Sequence, residues 1–176
     1  MMRNILTILA VLLLASCNAV RVNYDYDKDT DYSSYTTYNY YPDMVTGLSQ
    51  LDTRRLLDAL DSTMQVKGML LVEEPEFFIN ITSSSIRAPR NNTVGVGVGG
   101  TGRNVGGGLS IGLPIGQPDL DRVIQFDFVD SQKDELFWQA ISESSFQENL
   151  SPQEREAKLK QVVDKVFSKY PPGSKK

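Results

Sequence analysis

Histidine is absent from this chain of 176 residues, and cysteine and tryptophan occur once each. Without histidine the usual proton acceptor of Ser–His and Cys–His catalysis is missing, and no Ser-x-x-Lys string replaces it. The same scarcity leaves few ligands for zinc and other metals that prefer nitrogen or sulfur, so neither metal nor cofactor is expected. One cysteine allows no internal disulfide, and stability has to come from packing. Positive charge is also in short supply, with a formal net charge of −4. Binding to nucleic acid draws its affinity from lysines and arginines that neutralise phosphates, so no nucleic-acid partner is expected.

The one cysteine has an informative setting. A basic Arg3 precedes the largely apolar run Ile5 to Leu14, and Leu14-Ala15-Ser16-Cys17 follows. The run is too short to span a bilayer, and small residues before a cysteine complete the layout of an export signal. This segment resembles the precursors of bacterial lipoproteins. The resemblance implies cleavage before Cys17, a diacylglycerol thioether on its sulfur and an acyl group on its new amino terminus. Residues 1–16 are then signal peptide, residues 17–19 a lipidated tether, residues 20–172 a single domain and residues 173–176 a disordered tail. Under enterobacterial sorting rules Asn18 after the cysteine favours the outer membrane of a bacterial cell envelope; a periplasm-facing address is the first expectation, with the leaflet and facing side left open. Loss of Arg3 takes the net charge from −4 to −5.

The mature part alternates between two periodicities. Val20, Val22, Tyr24 and Tyr26 interleave with Arg21, Asn23 and Asp25, the signature of a half-buried strand. A second extended run covers Thr36 to Tyr41 and stops at Pro42. Ser49 and Asp52 form a capping pair for a helix over 49–67, with Leu56, Leu57, Leu60 and Met64 on one face and Gly68 at its end. Met69 to Arg87 reads as strand with a kink at Pro75. Residues 121–146 read as a hairpin turning at 130–135. Ser151, Pro152 and Glu154 open a last helix whose stripe is Leu159, Val162, Val163, Val166, Phe167 and Tyr170. This order predicts an α+β domain, mostly antiparallel, with two helices packed on one face of the sheet.

Residues 93–116 hold ten of the thirteen glycines. Val94, Val96 and Val98 alternate with Gly95, Gly97 and Gly99, which predicts a glycine-rich β-hairpin with one face free of side chains. Gly95, Gly97 and Gly100 match a dinucleotide fingerprint, but strand-type alternation continues where a helix must begin. Gly108 to Gly112 match a nucleophile elbow, but there is no histidine base and Pro114 follows. Asp25, Asp27, Asp29 and Asp31 resemble the start of a calcium loop. That frame needs glycine at 30 and glutamate at 36, and threonine stands at both. A solvated strand edge is the first reading of these aspartates and loose calcium binding the second.

A family resemblance gathers these pieces. It rests on Asp31 to Tyr38, the helix ending at Lys67-Gly68, Glu74-Pro75-Glu76-Phe77-Phe78-Ile79, the strands joined through Phe128-Val129-Asp130 and Leu136-Phe137-Trp138, and the close on Lys169-Tyr170-Pro171-Pro172. Over most of residues 20–172 the chain resembles the bacterial lipoprotein family called domain of unknown function 4136. It departs in having Glu76 where an aspartate is usual and Tyr40 near a position commonly tryptophan. The resemblance implies an envelope lipoprotein with no catalytic set to transfer.

The resulting expectation is a non-enzymatic module with lipidation at Cys17, a membrane partner through its lipid, and an unknown envelope protein or glycan as ligand. Candidate interaction residues are Tyr24, Tyr26, Gly95, Gly97 and Gly99, on the tyrosine-rich edge and the glycine hairpin, with the uncovered sheet face as a further surface. The alternatives are a periplasmic glycan hydrolase using carboxylates such as Asp127, Asp130 and Glu143, and membrane or oligomer contact through the hairpin.

Overall fold

Period-two alternation builds the sheet. In the computed structural model, which describes residues 20–87, 93–95, 112–114 and 120–173, Phe77, Ile79 and Ile81 are buried together with Ile124, Phe126, Phe128, Trp138 and Ala140. These residues come from β4 (Phe77–Arg87), β7 (Leu120–Asp130) and β8 (Leu136–Phe146), three antiparallel strands of 11 residues each. β1 (Arg21–Tyr26) extends the sheet beside β8, antiparallel. On the other side lie β2 (Thr37–Tyr40) and β3 (Leu70–Leu71), each parallel to its neighbour. The order is β1-β8-β7-β4-β2-β3. The sheet is therefore mixed, and mostly antiparallel as the sequence predicts.

One expected strand divides in two. Met69 to Arg87 is not a single kinked strand: Tyr38 pairs with Leu71 on one side and with Phe77 on the other. The chain has to cross from one flank of β2 to the other, and Pro75, with no N–H to give a ladder, lies in that crossing. Glu76 fixes its far end. Its carboxylate accepts from the N–H groups of Thr36, whose hydroxyl also donates, and Thr37.

Two helices cover one face. In α1 (Gln50–Val66) the Ser49 hydroxyl accepts from the N–H of Asp52, and Gly68 ends the helix region with φ +83°, a value that favours glycine. α2 (Pro152–Phe167) opens with the capping box of Ser151 and Glu154. Leu56, Leu60 and Met64 of α1 meet Leu159, Val162, Val163, Val166 and Phe167 of α2 in the core with the sheet. Trp138 sits at the centre, its ring 4.7 Å from Phe128, 5.6 Å from Phe167 and 5.1 Å from Tyr170. Full burial of each such side chain contributes about 1.5–3 kcal/mol.

A separate two-stranded ladder pairs β5 (Thr93–Gly95) with β6 (Gly112–Pro114). The rest of the expected hairpin, Gly97 and Gly99 included, lies outside the described residues, as do Cys17 and the tail beyond Gly173. Among the described residues no helix is long and apolar enough to cross a membrane.

Candidate functional site

Most of the tyrosine-rich region serves the core. Tyr38 is 2% exposed and its hydroxyl donates 2.8 Å to Asp61 of α1, while Tyr40 donates 2.6 Å to the same oxygen. Burial raises both phenols above their usual range, and the nearby Asp61 carboxylate adds to it. Tyr35 stacks 4.3 Å from Phe137 and donates to Asp130 at 2.6 Å. Tyr32 donates to the Phe137 carbonyl. These phenols are packing groups with a satisfied polar end.

Tyr24 and Tyr26 differ. Both lie on β1, whose even-numbered side chains face α2. Tyr24 donates to the Lys165 carbonyl at 2.9 Å, and Lys169 Nζ lies 5.1 Å from its ring centre. Tyr26 is 42% exposed. The two line one notch of about 340 Å³ with Trp138, Ser168, Lys169, Pro171, Pro172 and Gly173. The structure thus brings together two of the five candidate interaction residues beside the prolines that follow α2.

The opposite sheet face carries no described helix. Along β7 and β8 its half-buried side chains are polar in the middle. Gln125 Nε2 reaches both oxygens of Asp127, at 3.0 and 2.9 Å, and Gln139 Nε2 reaches Oδ1 at 2.7 Å. Asn80 stands opposite Asp127 on the neighbouring strand. At the edge of this group Tyr41 and Phe78 pair with ring centres 5.2 Å apart. A shallow cavity of about 380 Å³ is lined by Tyr41, Asp43, Met44, Asn80, Asp127, Val129 and Leu136. Two amides thus orient one carboxylate, with an aromatic pair near it.

A third polar cluster lies at the N-terminal ends of both helices. Asp52, 1% exposed, receives Arg55 at 2.9 Å and Arg155 at 3.0 Å, with Arg122 at 3.7 Å. The Arg122 guanidinium lies 3.3 Å from the Phe146 ring centre. Burial lowers its pKa and the Asp52 charge opposes that shift. The buried carboxylate ties α1, α2 and β7 together.

Comparison with known proteins places this geometry. The model of the family described as a domain of unknown function (DUF4136) matches residues 22–172. The chain belongs to that family. No curated protein matches the sequence. Among solved structures, the DUF4136 chain resembles a PDZ domain protein from Parabacteroides distasonis at TM-score 0.58 and 11% identity, over 94% of this chain and 39% of that one. It therefore spans about two fifths of that protein's length. PelC from Paraburkholderia phytofirmans, solved as a dodecamer, matches at TM-score 0.50 and 8% identity, over 85% of this chain and 96% of that one. Both are likenesses of fold.

Each of the carboxylates considered for hydrolysis has a polar partner of its own in the DUF4136 domain. Asp130 is held at the end of β7 by the Tyr35 hydroxyl and by the N–H groups of Gln132 and Lys133. Asp127 stands opposite Gln139, and Glu143 lies four residues further along β8, a backbone rise of about 13 Å at strand spacing. Glu143 instead faces Arg21 at 3.9 Å. Asp43 shares the open-face cavity with Asp127, a pairing that no spacing in the sequence marks. Gln125 and Gln139 were also missed. Both carry the polar side of a period-two alternation, which marks solvent-facing positions without saying that two strands align them.

Proposed function

We propose that this DUF4136 domain is a non-enzymatic, lipid-anchored module of the bacterial cell envelope that binds a glycan on the open face of its sheet. The observation that carries the reading is the Asp127 carboxylate, oriented by Gln125 and Gln139 beside Asn80 and the Tyr41–Phe78 pair. Sugars present adjacent hydroxyls, which both donate and accept, together with apolar C–H faces. A carboxylate accepts from hydroxyls, amides do both, and aromatic rings cover the C–H faces. Because both oxygens of Asp127 already hold amide hydrogens, it acts as a fixed acceptor. The anchor follows from the Leu14 to Cys17 segment, with acylation of Cys17 and an outer-membrane address facing the periplasm.

The glycan reading is tested with soluble peptidoglycan fragments and capsular oligosaccharides, titrated against the full chain by calorimetry. Asp127→Ala and Tyr41→Ala are expected to abolish binding, whereas Lys160→Ala, on the exposed side of α2, leaves it intact. New reducing ends, released by the parent chain and not by Asp127→Asn, would replace binding with hydrolysis. Absence of binding to every fragment would overturn the glycan reading. The anchor is tested separately. Cys17→Ser is expected to abolish processing and detergent partitioning, and unchanged behaviour would remove the lipoprotein assignment.

A further inference from the structure

Among the described residues β1 is the outer strand at one side of the sheet, and no described strand pairs with its outer edge. Its ladder with β8 pairs Arg21 with Glu143 and Asp25 with Gln139, and just beyond it the N–H of Asp27 donates to the Phe137 carbonyl at 2.9 Å. In an antiparallel pair, residues that exchange hydrogen bonds alternate with residues whose backbone groups point away. Asp27 and Phe137 continue the same register. Arg21, Asn23 and Asp25 therefore bond to β8, while Val22, Tyr24 and Tyr26 point their N–H and C=O groups outward. The Tyr26 N–H is turned onto its neighbour's side chain, Asp25 Oδ1, at 2.9 Å. The open length is Val22 to Tyr24.

We infer that this edge pairs with the β1 edge of a second copy of the chain, antiparallel, with Asn23 on the two-fold axis. An added strand must match outward groups with outward groups, so Val22 and Tyr24 of one copy bond to Tyr24 and Val22 of the other. This register sets Arg21 opposite Asp25 of the second copy, twice, because the axis repeats the contact. Opposite charges directly across a ladder favour pairing and like charges oppose it. Shifting the axis to Tyr24 would demand a bond from the Tyr26 N–H, which is already engaged. Shifting it to Val22 would place Arg21 against Asn23 and lose both charge pairs. Arg21 is free to turn: its present contact with Glu143 is long, 3.9 Å, and its side chain is 77% exposed. Two six-stranded sheets would join edge to edge, covering the backbone groups that an outer strand leaves open to unwanted partners. This pairing requires neither a lipid on Cys17 nor a bound glycan.

The test uses single cysteines in the full chain, with the parent chain oxidised alongside to account for Cys17. Residues facing each other outside the bonded pairs of an antiparallel ladder have Cα atoms about 4.5 Å apart, within disulfide range. Asn23→Cys is expected to give a disulfide-linked dimer. Arg21→Cys, which meets position 25 and not itself, is expected to lose that band. Charge variants give a second readout in size-exclusion chromatography at matched concentration. Arg21→Asp alone and Asp25→Arg alone are expected to be monomeric, and their mixture is expected to restore a dimer because opposite charges then meet in both places. These side chains are exposed, and circular dichroism checks that each variant folds. Equal crosslinking at 21 and 23, a mixture that stays monomeric, or an Asn23→Cys adduct only with another protein would each overturn the second-copy assignment.

Discussion

The hydroxyl of Tyr40 donates 2.6 Å to Asp61, an oxygen of α1 that it shares with Tyr38. Through that oxygen the short parallel strand β2 is fastened to the helix that crosses over it. Asp61→Ala leaves one buried and one half-buried tyrosine without an acceptor, so a loss of roughly 2–4 kcal/mol is expected. Tyr40→Phe removes one bond while keeping the ring, and about 1 kcal/mol is expected. Urea midpoints of the two variants against the parent chain check the order; an Asp61→Ala midpoint equal to the parent's would show that the shared oxygen is unimportant.

Alkaline pH should unfold this domain through its tyrosines. Burial, with the Asp27 charge second, pushes Tyr32 up to about 12, and burial also raises Tyr35, Tyr38, Tyr40 and Tyr170 above the ordinary 10.0. A raised pKa means the folded state holds its proton after the unfolded chain has released it. The stability involved is fully present below the unfolded value and is lost as pH rises through the folded ones. Loss of circular dichroism together with growth of tyrosinate absorbance is expected. Tyrosinate forming while the structure stays intact would contradict the burial of these hydroxyls.

Asp52 is a costly polar side chain to remove. Its carboxylate is buried among Arg55, Arg122 and Arg155, and losing it would leave partly buried guanidinium groups facing one another. About 3–5 kcal/mol is expected for Asp52→Ala. Arg55→Ala should cost much less, because Arg155 keeps its own contact at 3.0 Å. Thermal melting of both variants measures the difference.

Glu76 contributes an acid-sensitive step. The N–H groups of Thr36 and then Thr37 hold its carboxyl below the ordinary 4.5. A lowered pKa contributes stability above the unfolded value that disappears as pH falls through the folded one. Glu76→Gln can still accept from those N–H groups but carries no charge to titrate. Its stability should therefore fall less between neutral pH and pH 3 than that of the parent chain, because no proton is taken up at position 76 on acid unfolding. Parallel pH curves would remove Glu76 from the acid transition.

The elements legible in the sequence were those with a long uniform period. α2 announces itself by Ser151, Pro152, Glu154 and a six-residue stripe, and its bounds, Pro152–Phe167, follow closely. The β7–β8 hairpin is equally plain. The split between β3 and β4 was hidden, because Leu70–Leu71 is too short for a period and its neighbour β2 is distant in sequence. Tyr24 and Tyr26 were visible as strand residues, but the notch they line also needs Pro171 and Pro172 from beyond α2. The polar group around Asp127 was invisible for the same reason: Gln125, Gln139 and Asn80 come from three strands, and only their register brings them level.

The first strand of the domain finds its place beside the last. A ribosome delivers β1 long before β8, so the edge of the sheet has no partner until nearly the whole chain has emerged. During that interval the amino-terminal strand has no ladder with β8 to join. A chain broken off ahead of residue 136 would carry β1 with no surface on which to settle, and its native β4–β7 pairing would stand with one flank bare.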